Sequence, residues 1–141
     1  MEARRIYAIT AMQIVAAGVL FWLLFTFPSP WNLQRYAGTV LAVIGVVGVA
    51  VARYQLGRSF SIKAEAHELV TTGIYSKIRN PIYVFATVMI TGLVLVLQRP
   101  AAWILTVAVI VGQTFRAHRE AGVLEAAFGD AYREYRRKTW F

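Results

Sequence analysis

Four apolar runs separated by polar intervals of very unequal length set the pattern of this chain. The first, Ile6 to Phe27, has 22 residues, enough for a helix to cross a hydrocarbon core of ~30 Å at ~1.5 Å per residue. It ends in Phe25-Thr26-Phe27-Pro28-Ser29-Pro30, aromatics and prolines where a signal peptide would offer small residues for cleavage, so it reads as a retained helix. Gln13 inside it suits a hydrogen bond to a neighbouring helix. In the second run, Tyr36 to Ala52, the small residues Gly38, Ala42, Gly45, Gly48 and Ala52 fall on one face and permit close approach of another helix, within the chain or across a dimer. Pro81 occupies the first turn of the third run, Ile82 to Leu97, where its missing donor costs nothing. Gln98-Arg99-Pro100 is a short turn that makes the third and fourth helices antiparallel neighbours. The fourth run, Ala101 to Phe115, continues without a breaker into Arg116-Ala117-His118-Arg119-Glu120.

The interval from Arg53 to Pro81 is too long for a tight connection and is therefore a candidate functional segment. The tail from Glu125 to Lys138 reads as a surface helix, with a break at Phe128-Gly129-Asp130 and with Tyr132 and Tyr135 one turn apart. Composition moves this picture to the bilayer: 58% of residues are hydrophobic and 16% charged, against about 25% charged in soluble domains. The 15 basic residues then set orientation. All but Arg35 and Arg99 precede the first helix, lie in the long middle interval or follow the fourth helix, which places both termini in the cytoplasm. The net charge of +8 is spread over the ends of apolar runs rather than gathered on one water-facing surface, so nucleic acid is not an expected partner. The expectation is an all-α integral membrane protein, one domain over 1–141. Its transmembrane helices fall at about 6–27, 36–52, 82–97 and 101–115, with cytosolic segments 53–81 and 116–141.

With no cysteine, thiolate catalysis and cysteine zinc sites are excluded. His67 and His118 are too few and too separated for a metal site. There is no nucleophile elbow, phosphate loop or dinucleotide-binding glycine fingerprint. What remains is a constellation at one end of the helices. Gln113, Arg116 and Glu120 share a face where the fourth helix leaves the bilayer. The plain reading of the last two is a solvated ion pair worth about 0.3–0.5 kcal/mol. Topology, however, brings them towards Arg79, Asn80 and Tyr83. That set suits an amphiphilic molecule carrying amine and carboxylate, with a lipidic co-substrate entering from the bilayer.

Leu69-Val70-Thr71-Thr72-Gly73-Ile74-Tyr75-Ser76-Lys77-Ile78-Arg79-Asn80-Pro81-Ile82-Tyr83, followed by Glu120, Leu124, Phe128-Gly129-Asp130-Ala131-Tyr132 and Tyr135, resembles the isoprenylcysteine carboxyl methyltransferase family, which belongs with the membrane phospholipid methyltransferases. The resemblance covers roughly Arg53 to Tyr135. It implies a membrane enzyme that uses S-adenosylmethionine and releases S-adenosylhomocysteine, its cofactor site formed by the cytosolic loop and the C-terminal helix. Arg79, Asn80, Tyr83 and Glu120 would contact the cofactor on that pattern, and Gly73 and Tyr75 would shape its loop. Arg116 is assigned, from its charge, to orient the acceptor carboxylate, which makes Arg116 and Glu120 the expected catalytic pair. The chain departs from the family pattern at Ile74, where proline is usual, at Asn80, where histidine is common, and at Ala121, where a second glutamate is frequent. Asparagine can donate and accept hydrogen bonds but does not titrate near neutral pH. Carboxyl methylation needs no base, since a carboxylate is already nucleophilic and a dry, aligned site favours its attack. The expected acceptor is therefore a hydrophobic, lipid-linked or prenylated carboxylate. Phospholipid N-methylation, a non-catalytic membrane protein binding lipid or a partner, and a likeness to membrane sterol-type reductases using NADPH are the alternatives. The oligomeric state is open.

Overall fold

The computed structural model describes residue 15, residues 18–62 and residues 69–141. Most of the first apolar run, with Gln13, and also His67, lie outside the described residues. Within them the chain is helical, with no strand. A helix over 18–26 (α1) leads through the proline turn to α2 (Leu33–Ile62). A short 3-10 turn, Gly73–Ser76, precedes α3 (Pro81–Leu97), and a second one, Pro100–Ala102, leads into α4 (Trp103–Phe128) and then α5 (Asp130–Lys138). Among the described residues two segments, Leu33–Gly57 and Pro100–Phe128, are long and apolar enough to cross a membrane. The apolar helix between them, α3, has 17 residues and rises about 25 Å.

The small-residue face of α2 is spent inside the chain. Gly38, Ala42, Gly45, Gly48 and Ala52 are all buried, and α3 runs antiparallel across them, with Gly92 and Leu95 against Gly38, Met89 against Gly45 and Phe85 against Gly48. At Gly45 and Gly92 the nearest facing atoms are main-chain atoms, so the two helices meet backbone to backbone. Leu20 and Leu24 of α1 close one end of this contact, packed with Ala42 and Val96.

The same end is sealed by polar groups. Ser29 Oγ donates to the Val96 carbonyl at 2.8 Å, and Gln98 Nε2 donates to the Pro30 carbonyl at 2.8 Å. Gln98 ends α3 in the left-handed region, at φ 52°. Arg35, read from the sequence only as one of two basic residues on the far side, is instead 1% exposed. Its guanidinium donates to the carbonyls of Ser29 and Leu24, the latter at 2.9 Å, and stacks 4.0 Å over the Trp31 ring. Those carbonyls lie at and beyond the end of α1, where no further helical turn supplies a donor.

Two further differences from the sequence reading concern the polar segments. The second helix does not stop at Ala52 but continues to Ile62, so the first third of the supposed loop is helix. A helix leaving an apolar environment needs no breaker as long as its polar residues face water. The C-terminal tail is divided at Gly129, with φ 53°, and its Tyr132 and Tyr135 are buried rather than lying on a surface.

Candidate active site

Pro81 opens α3 at its first turn and is buried there, which fixes where Asn80 and Tyr83 stand. The segment before it is built on Gly73, whose φ of +62° suits glycine. A Cβ at Gly73 would lie 2.3 Å from Gln55 Oε1, and that same oxygen accepts a 2.8 Å hydrogen bond from the Ile74 amide. Gln55, on the continuation of α2, is thus the support of the turn, and sequence reading missed it because the residue looked like part of a loop.

The far end of the chain holds this segment from its other side. Trp140 N donates to the Lys77 carbonyl at 2.8 Å, Arg79 N to the Trp140 carbonyl at 2.9 Å, and Asn80 N to the Phe141 carbonyl at 2.9 Å. The Asn80 side-chain amide adds a 3.1 Å bond to that last carbonyl. Asparagine here acts as a fastener of main chain. Tyr135 on α5 donates its hydroxyl to the Tyr75 carbonyl at 2.8 Å, in a buried contact. Burial, and then each phenol's neighbouring tyrosine, pushes Tyr75 and Tyr135 up to about 12, although Arg79 opposes the rise at Tyr135 and Arg53 at Tyr75.

Because both phenols ionise later in the folded protein than the ordinary value of 10, their contribution to stability is complete below pH 10 and is lost as pH rises through about 12. Alkaline titration followed by tyrosinate absorbance should therefore show late-ionising phenols that ionise together with unfolding. Tyr135→Phe should remove one of them and lower stability at neutral pH by about 1 kcal/mol, the typical worth of one hydrogen bond.

The seam between α3 and α4 brings the remaining groups together. Tyr83 donates its hydroxyl to Glu120 Oε1. One turn further along α3, Thr87 donates to Gln113 Oε1 at 2.7 Å. These two bonds run in antiparallel register and pair α3 with the Gln113, Arg116 and Glu120 face of α4. The Arg116 and Glu120 ion pair of the plain reading does not form. Among the described residues the ion pairs are those of Arg133 with Glu125 and Asp130, and of Lys138 with Glu134. Glu120 uses its carboxylate on Tyr83 instead.

Along that face of α4 lies an open cleft of about 480 Å³ lined by Arg116, Arg119, Glu120, Val123 and Leu124. Two guanidinium groups, one carboxylate and two aliphatic side chains there can engage a molecule that is charged at one end and apolar at the other. Of the residues singled out from sequence, Arg116 and Glu120 line the cleft and Tyr83 reaches it through Glu120. Gly73, Tyr75, Arg79 and Asn80 form the adjoining segment and are not part of the lining. Leu124, part of the sequence pattern that carries the family resemblance, lines the cleft too, whereas Arg119 and Val123 follow from Arg116 and Glu120 only by helical spacing and nothing in the sequence marks them as facing a cleft.

A family model described as phospholipid methyltransferase matches residues 33–131, from the start of α2 into α5, more than two thirds of the chain. The chain belongs to the phospholipid methyltransferase family. No curated protein and no solved structure matches it. The matched range includes the glycine turn, the Arg79-Asn80-Pro81 segment and Glu120, so it holds the resemblance read from the sequence except for Tyr132 and Tyr135. A phospholipid methyltransferase is a membrane methyltransferase with a lipid-like acceptor, and the apolar helices fit that setting.

Proposed function

We propose that this protein transfers a methyl group from S-adenosylmethionine to a hydrophobic acceptor, most simply a lipid-linked or prenylated carboxylate, at the cytosolic face of a membrane. The observation that carries the reading is the Tyr83 and Glu120 hydrogen bond at the edge of a cleft holding Arg116 and Arg119. In this reading residues 1–141 are a single domain with four transmembrane helices and both termini in the cytoplasm.

The donor set suits the cofactor. A carboxylate at Glu120 matches the cofactor's ammonium, and a guanidinium matches its carboxylate. Among the described residues Arg79 Nε is buried without a hydrogen-bond partner, a donor still available in the segment beside the site. When bound, S-adenosylmethionine supplies an electrophilic methyl group on a sulfonium. The protein's part is placement. Tyr83 fixes the Glu120 carboxylate, Arg116 orients the acceptor's anionic end, and Val123 and Leu124 offer an apolar wall for its hydrophobic part. Asn80, held to the Phe141 carbonyl, keeps the loop in position and moves no proton.

Glu120 also supports a second reading. Its exposed carboxylate can hold the ammonium of an aminophospholipid and take the proton that the nitrogen must lose before N-methylation.

The test is calorimetric titration of S-adenosylhomocysteine into the purified protein in detergent, beside Glu120→Ala and Arg79→Ala. Saturable binding in the parent that both variants lose supports the cofactor site, and no binding in a folded parent overturns it. Transfer of labelled methyl to membrane lipids then separates the two acceptors, because a methyl ester is released by alkali and an N-methyl group is not.

A further inference from the structure

Away from the cleft, α5 and the residues after it form a second charged surface. Tyr132 and Tyr135 face inward and are 1% and 8% exposed. The rest of α5 is exposed and strongly basic in its last turn, with Arg136, Arg137 and Lys138. Lys138 is paired with Glu134, and Arg133 with Glu125 and Asp130. Arg136 and Arg137 have no carboxylate within ion-pair distance among the described residues.

What distinguishes this patch from an ordinary solvated helix is where the main chain fastens it. Trp140 pairs in parallel with Ile78 and is bonded to Lys77 and Arg79, so it lies beside the residues two to four positions before Pro81, where α3 begins. Its indole is 66% exposed, and Lys77 beside it is exposed too. A tryptophan flanked by cations at the mouth of a membrane helix has the chemistry of the headgroup layer, an amphipathic ring among phosphate-binding groups.

We infer that Lys77, Arg136, Arg137 and Trp140 form a docking site for anionic phospholipid headgroups of the bilayer that holds the protein. Charge complementarity selects the occupant, and continuity with α3 places it in the same membrane. The acidic surface of a soluble partner would match the charge but leave the exposed indole without an apolar environment. The inference rests on the topology proposed above, in which α3 enters the membrane at Pro81.

The experiment reconstitutes the full chain in nanodiscs holding phosphatidylcholine and phosphatidylglycerol in fixed proportion, with brominated chains on one lipid or on the other. The part of tryptophan fluorescence that Trp140→Phe removes reports on Trp140. Its quenching should be at least roughly threefold greater when the bromines are on phosphatidylglycerol, because each arginine near the surface favours the anionic lipid. The difference should vanish in Arg136→Gln/Arg137→Gln and shrink in high salt. Equal quenching from both lipids in the parent overturns the inference while leaving the topology in place. No quenching from either lipid overturns the topology itself.

Discussion

Gly45→Ala should lower the thermal unfolding midpoint of the purified protein sharply, and Gly45→Leu should leave no folded protein to measure. The added methyl would stand 2.4 Å from the Met89 nitrogen and 2.5 Å from the Met89 Cα. Neither atom can turn aside as a side chain would, so α2 and α3 must separate along their whole contact. Overpacking a core costs about 1–3 kcal/mol where side chains can rearrange, and a main-chain neighbour puts Gly45→Ala at the upper end. Gly92→Ala, with Ala42 N at 2.3 Å from the new atom, should behave alike. The control is Gly112→Ala on α4, where nothing lies within 4 Å of the added atom and the change should leave the midpoint unchanged or raise it, by up to about 1 kcal/mol of helix propensity. If Gly45→Ala and Gly112→Ala have the same midpoint, the backbone contact between α2 and α3 is wrong.

The second large effect is expected at Glu120. On the proposed reading its carboxylate holds the cofactor, and hydrogen bonds to charged groups contribute about 1.5–3 kcal/mol. Glu120→Ala should therefore weaken binding of S-adenosylhomocysteine by roughly 10- to 150-fold with little change in melting temperature. Tyr83→Phe removes the donor that fixes the carboxylate without removing the charge, so its loss should be about threefold to tenfold. The sharper test is the double variant. If Tyr83 acts through Glu120, Tyr83→Phe should cost almost nothing once Glu120 is alanine. Fully additive losses would mean that Tyr83 touches the ligand independently and that the hydrogen bond has no positioning role.

Much of this architecture was legible in particular residues. Pro81 marked the start of α3, Gln98-Arg99-Pro100 its reversal into α4, and Phe128-Gly129-Asp130 the break before α5, because proline and glycine act through local backbone chemistry. The small-residue stripe announced a close helix contact, though only the folded chain tells that the partner is α3. Other features depend on tertiary neighbours and left no local mark. Residues 53–62 look like a loop by polarity, yet polarity ends an apolar run without ending a helix. Gln55 earns its role by meeting Ile74 across 19 positions. Arg35 reads as a surface charge until the carbonyls of Leu24 and Ser29 are seen to need it. At the site, spacing along α4 brought out Gln113, Arg116 and Glu120 together, but the choice of Tyr83 over Arg116 as partner for Glu120 belongs to the pairing of two helices.

The bonds from Trp140 and Phe141 to Lys77, Arg79 and Asn80 carry a consequence for the order of biosynthesis. A ribosome that has just released Asn80 must add some sixty more residues before the carbonyl that fastens it exists, since the two positions are 61 apart. Helices α2 and α3 can already pair by then, because every residue of their contact has been made. The loop between them is thus completed late, and a nascent chain halted between the end of α3 and Trp140 would carry its core helices packed and this segment still unfastened.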